Sequence, residues 1–245
     1  MKARALALTA VLLSGAALSA EPALQTEAGL HQWMTYYYLK PDPGNFVPAV
    51  NYMASSGLLE NENALAPLFG FVAGVVRSNP SKLTTWIKEL GPLNDAQLGA
   101  VVLGVWYANL PQSQKLVYSL LEQRPALKEK QGFLLQGSPM PITKIPLEEG
   151  SWVLDANWGT FMATGEREPV LRIISTLPWL EVKGDVNRLL IGGAARWSLT
   201  SNAVQHKKVL DICESEIPKQ PKEVAEKLRE VVANAKKELQ SGPNK

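Results

Sequence analysis

NDAQLGAVVLGVWYANLPQSQKLVYSLL, residues 94–121, carries the helical signal of this chain in its clearest form. Asn94 is a residue type whose side chain accepts from the free N–H groups of a first helical turn. Behind it, Leu98, Val101, Val102, Val105 and Trp106 recur at the three- and four-residue spacing of one helix face. Pro111 then suits the first position of a new helix, where a missing N–H costs nothing. Leu116, Val117, Leu120 and Leu121 give that second helix its own apolar face. Two such helices joined by a short turn make an antiparallel hairpin.

The same grammar extends in both directions. Residues 23–39 predict a helix stopped by Pro41-Asp42-Pro43-Gly44, and residues 46–56 a short one closed by Gly57. Residues 62–78 form a strongly apolar helix that meets Asn79-Pro80, and Leu83, Trp86, Ile87 and Leu90 follow. Beyond residue 150, helices are expected over Trp152 to Ala163, through Val170 to Leu177, and from Asp185 to Leu199. Ser201-Asn202 is then expected to turn into a helix ending near Cys213. The start of each second helix falls at Pro48, Pro80, Pro111, Pro169 and Asn202, steps of 32, 31, 58 and 33 residues. A period in the low thirties with two helices per period describes an αα solenoid of TPR or HEAT type. The expected fold is therefore all-α, an array of antiparallel helical hairpins. A hairpin array without true repeat symmetry fits the same pattern. The segment from Pro221 to Leu239 is apolar on one face and charged on the others, as a terminal capping helix requires.

Five regions are expected: a signal peptide over 1–20, hairpins over 21–124, an irregular arm or linker over 125–147, hairpins and cap over 148–240, and a disordered tail over 241–245. The first rests on Lys2 and Arg4, the apolar run Ala5 to Leu18 and the small residues Ser19-Ala20. That run is too short to span a bilayer, and no later stretch is apolar enough to do so. The expected location is periplasmic or secreted, with cleavage near Ser19 or Ala20. The 25 basic residues then fall to 23, against 23 acidic ones. A chain without net charge does not suit a nucleic-acid binder, which neutralises phosphates with a basic surface.

Catalytic patterns are poor. His206 and Cys213 are seven residues apart, about 10 Å along a helix, too far for an ion pair of thiolate and imidazole. The single cysteine, flanked by Leu210, Ile212 and Ile217, is expected to be buried. His31 and His206 are expected at surface or capping positions, and Glu214-Ser215-Glu216 as solvated charge. No cofactor and no metal site is expected, because no ligand spacing for a metal is present.

Polar groups inside apolar helices are more informative. Asp155 is expected to bridge to Arg172 or Arg196 as a structural clamp between hairpins, since a buried charge is costly unless paired. The small residues Gly192 to Ala195 suit close helix–helix approach. Trp33, Tyr36, Tyr37 and Tyr38 crowd one stretch. Trp33 and Tyr37 share a face, with Tyr36 and Tyr38 about 100° to either side. Trp33, Tyr36 and Tyr38 are candidate partner-binding residues, aromatic rims being common at interfaces.

WGTFMATGEREPVLRIISTLPW (158–179) and GGAARWSLTSNAVQHKKVL (192–210) resemble a family of uncharacterised exported all-helical bacterial proteins. The resemblance implies export and a helical fold, and brings no activity and no site residues. The leading expectation is a non-catalytic envelope module that binds a protein or peptide partner. The alternatives are an envelope enzyme using carboxylates near Asp155 and Glu166, and a carrier with an apolar pocket for a small ligand.

Overall fold

A computed structural model describes Leu24 and residues 26–241. The expected signal peptide, and the tail beyond Ser241, lie outside the described residues. The described chain is all-helical, with no strand. Its α-helices are α1 (Glu27–Tyr36), α2 (Phe46–Ser55), α3 (Glu62–Ser78), α4 (Leu83–Glu89), α5 (Asp95–Tyr107) and α6 (Pro111–Gln123). There follow α7 (Pro125–Gln131), α8 (Trp152–Thr164), α9 (Arg167–Ile174), α10 (Val186–Gln205), α11 (Lys207–Glu216) and α12 (Lys222–Ser241). Short 3-10 turns join several of them.

Local chemistry explains the boundaries. Asn94 accepts from the Gln97 N–H while the Gln97 side chain accepts from the Asn94 N–H, so α5 opens on a reciprocal cap. Thr26 caps α1 and Asp185 caps α10 in the same one-sided way. Pro111 and Pro125 occupy first-turn positions of α6 and α7. Gly165 ends α8 at φ 64°, a left-handed conformation that favours glycine.

The tightest packing joins α3 to α8. Gly70 lies so close to α8 that a Cβ there would fall 1.8 Å from the Ala156 carbonyl oxygen. On the other side, a Cβ at Gly159 would fall 1.9 Å from the Pro67 oxygen. The Thr160 hydroxyl, buried in this seam, lies 3.0 Å from the Ala156 carbonyl of its own helix and 3.3 Å from the Gly70 carbonyl of α3. Gly104 brings α5 against Val72 on the neighbouring side of α3. Two helices ninety residues apart in sequence are thus in backbone contact, beyond what nearest-neighbour stacking of hairpins produces.

One continuous hydrophobic core runs through both halves of the chain. Residues 125–147 contribute Leu127, Leu134, Ile142 and Ile145 to it, all buried. The Gln131 amide donates to the Gly99 carbonyl at 2.8 Å inside the protein. Arg124 pairs with Asp95 at 2.5 Å and donates to the Leu93 carbonyl.

Two boundaries differ from the sequence expectation: the expected irregular arm opens on the helix α7, and α10 runs past its expected end. α10 does not break at Ser201-Asn202 but continues to Gln205 and turns at His206. The Asn202 amide donates to the Ser198 carbonyl four residues back, which seats a turn-forming residue inside a helix. Asn202 therefore marks no helix start, and one of the five periodic positions is lost.

Candidate functional site

The clamp expected of Asp155, Arg172 and Arg196 does not form. Asp155 is exposed and has no ion-pair partner among the described residues, although partial desolvation raises its carboxyl pKa. Arg172, half-buried on α9, donates instead to the Ile145 carbonyl, and so ties α9 to the segment before α8. Arg196 is exposed on α10. Asp155 lies in the first turn of α8, where its side chain reaches solvent, although its neighbours Val153, Leu154 and Ala156 and the residues one turn on, Trp158 and Gly159, are buried. Glu166 is also exposed and pairs with Arg77 at 2.5 Å, joining the end of α3 to the start of α9.

The aromatic stretch divides in a different way from a regular helix. Trp33 and Tyr37 pack edge-on against each other at 5.2 Å and both meet Phe71 of α3 at 5.3 Å. Tyr37 is buried, and burial pushes its hydroxyl pKa up to about 12. α1 ends at Tyr36, and residues 37–39 tighten into a 3-10 turn. As a result Tyr36 and Tyr38 do not diverge; both rings face His206, at 5.3 and 5.7 Å.

His206 does occupy the junction of α10 and α11, but it is only 2% exposed rather than a surface residue. Its Nδ1 and the Tyr38 hydroxyl are 3.2 Å apart, and Phe161 of α8 closes the ring's other side at 6.0 Å. Burial lowers its pKa to about 4, so the imidazole is neutral at pH 7. Lys208 stands over the Tyr38 ring at the outer edge of this cluster. Cys213 is buried and its thiol is pushed up to about 12, which removes thiolate chemistry at neutral pH.

Glu216 is a second departure from expectation. It is buried rather than solvated, and holds Arg167, Lys219 and the Gln220 amide. The sequence signal was available: Glu216 is three residues from Cys213 and four from Ile212, on their side of α11.

The feature sequence reasoning missed lies on α10. One side of this 20-residue helix carries Ile191, Ala195 and Leu199, all buried. The opposite side carries Val186, Leu190, Gly193 and Trp197, at spacings of four, three and four residues. Val186 is 69% exposed, Leu190 65% and Trp197 74%. Leu189 widens this stripe, and Thr200 and Val204 continue it. The C-terminal half of α12 runs alongside, leaving a groove of about 1090 Å³ lined by Trp197, Val204, Asn234, Glu238 and Leu239. An added Cβ at Gly193 would meet nothing within 4 Å, whereas one at Gly192 would clash with Leu180. The small-residue cluster thus serves close approach at one glycine and leaves the other open.

Among the described residues no group of His, Cys, Asp and Glu is arranged to hold a metal. No described helix is long and apolar enough to cross a membrane. Comparison with family models, curated proteins and solved structures returns no match.

Proposed function

We propose that this chain is an exported, non-catalytic interaction module of the cell envelope, and that the outward face of α10 is where a protein partner binds. The carrying observation is the solvent-facing apolar stripe from Val186 to Trp197 beside the α10–α12 groove. Monomeric soluble proteins seldom expose large aliphatic and indole side chains in a row, and contiguous apolar patches mark association surfaces. Trp is also the residue type most enriched among energetic anchors of interfaces. Export rests on residues 1–20, as does a periplasmic or secreted location.

Three of the residues that an envelope enzyme would use favour this reading by their surroundings. Glu166 is spent on Arg77, Cys213 is a buried neutral thiol, and His206 is walled in by aromatic rings. A solenoid-like array of hairpins is supported by α5–α6–α7 and α10–α11–α12, which pack with their sequence neighbours. The α3–α8 seam would then be the joint between two short stacks.

The test is the native size of the protein in an envelope extract, resolved by gel filtration and immunodetection. Wild type should elute in an assembly larger than a monomer. A Leu190→Glu, Trp197→Glu variant with an unchanged helical circular-dichroism spectrum should elute as a monomer. Identical elution of the two would overturn the proposal.

A further inference from the structure

We infer that His206 and the tyrosines at the end of α1 form an acid-released latch: the contact between α1 and the α10–α11 joint closes around a neutral imidazole and opens when the ring takes up a proton. The geometry is that of a ring with nowhere to place a charge. His206 is 2% exposed and stands on the extended backbone between the two helices, at φ −124° and ψ 106°. Its Nδ1 is 3.2 Å from the Tyr38 hydroxyl. Its Nε2, also buried, has no hydrogen-bond partner among the described residues. In the neutral ring this costs what one unpaired polar atom costs. The imidazolium carries a donor on both nitrogens. The Tyr38 hydroxyl can turn to accept from Nδ1–H, but the Nε2–H is left without an acceptor, and a buried charge so placed is far more costly.

The surroundings offer that charge no compensation. From α1 and its closing turn the ring meets Tyr36 and Tyr38, and from α8 it meets Phe161. From α11 the cluster receives Lys208, itself a cation, over the Tyr38 ring. The carboxylates of the adjoining segments are held elsewhere: Glu166 by Arg77, Asp211 by Lys207 and Glu216 by Arg167. Phe161 is fully buried behind the imidazole, whereas Tyr36 is 37% exposed in front of it, so the tyrosine side is the way to water. Tyr38 is seated over Gly165, where a Cβ would fall 2.8 Å from its ring. Tyr37, between the two, stays anchored on Phe71, which keeps the opening local. An opened ring has the ordinary pKa of 6.5, a closed one about 4, so acid favours the open form. From those two values the opening equilibrium rises about 20-fold between pH 7 and pH 5.

Hydrogen exchange of the full chain tests the latch, read by mass spectrometry at pH 7 and pH 5 and corrected for the chemical exchange rate at each pH. Peptides spanning 34–40 and 203–210 should lose about 20-fold in protection in wild type, the change in the opening equilibrium. They should lose little in His206→Gln, which has no group to titrate. At both pH values these peptides should exchange faster than residues 71–76 of α3, because the opening is local. Tyr38→Phe keeps the ring and removes the hydroxyl; it should lower protection of the same peptides already at pH 7. Protection independent of pH in wild type overturns the latch, as does an equal loss in wild type and His206→Gln. Protection at the latch equal to that of α3 also overturns it, since the opening would then be unfolding of the whole chain. Should His206→Gln fail to fold, Tyr38→Phe decides: unchanged protection at pH 7 overturns the latch.

Discussion

His206 shows how one residue ties three elements together. It sits between α10 and α11, meets Tyr36 and Tyr38 at the end of α1, and rests on Phe161 of α8. Its ordinary pKa of 6.5 falls to about 4 because burial disfavours the charged ring. Between those values the unfolded imidazole binds a proton that the folded one does not. Stability therefore rises with pH across this window, is lost as pH falls through it, and levels off below about 4. The loss is at most about 3 kcal/mol, from the shift and 1.36 kcal/mol per unit. Denaturant midpoints at pH 7 and pH 4.5 check this. Wild type should lose markedly more stability between the two than His206→Gln, in which the titrating group is gone. Parallel losses would show that His206 does not titrate in the way its burial requires. Tyr38 packs against the core on Phe161, which helical spacing did not show, while Tyr36 was legible in the sequence as a residue off the core face. Their convergence on one imidazole was not, because it depends on α1 tightening after Tyr36 and on a residue 168 positions beyond Tyr38.

At the scale of elements, the α3–α8 seam sets the architecture. Backbone carbonyls occupy the positions where side chains at Gly70 and Gly159 would go. A carbonyl cannot move aside as a flexible side chain can, so overpacking here must separate the helices. Gly70→Ala should cost about 3 kcal/mol or more, at the upper end for an added methyl group. Gly132→Ala, where the nearest atom is the Lys128 side chain at 3.9 Å, should change stability by less than about 1 kcal/mol. Equal midpoints for the two variants in urea would contradict the seam. The sequence shows most helices because their apolar faces and their capping residues agree, as at Asn94 and Pro111. It does not show the seam, because a glycine inside a helix carries no mark of what approaches it. α10 is opaque for a related reason. It has two apolar stripes on opposite sides, and periodicity alone cannot say that Ile191 and Leu199 turn inward while Leu190 and Trp197 turn out. The clamp at Asp155 failed because the first turn of α8 leaves that side chain at the surface, whereas Trp158 and Gly159 one turn further on are buried.

Across the whole molecule, the all-helical class was visible from composition and spacing, whereas the joining of the halves was not. Buried residues between 125 and 147 bind what looks in sequence like a proline- and glycine-rich connection. The result is one core with its conspicuous unfilled apolar surface on α10, remote in sequence from the aromatic stretch first expected to bind. Two surfaces thus compete for the functional role: the α10 stripe, and the rim formed by Trp33, Tyr36 and Tyr38. Trp33 is drawn into the core against Phe71, and Tyr38 is committed to His206. Of the three, Tyr36 is the most exposed, at 37%, half the exposure of Trp197. The most direct test is site-specific photo-cross-linking in the native envelope, with a benzophenone amino acid placed at position 190, at position 36, or at the exposed control position 129. The account predicts discrete protein adducts from position 190, and none from positions 36 or 129. Adducts from position 36 with none from position 190 would contradict it.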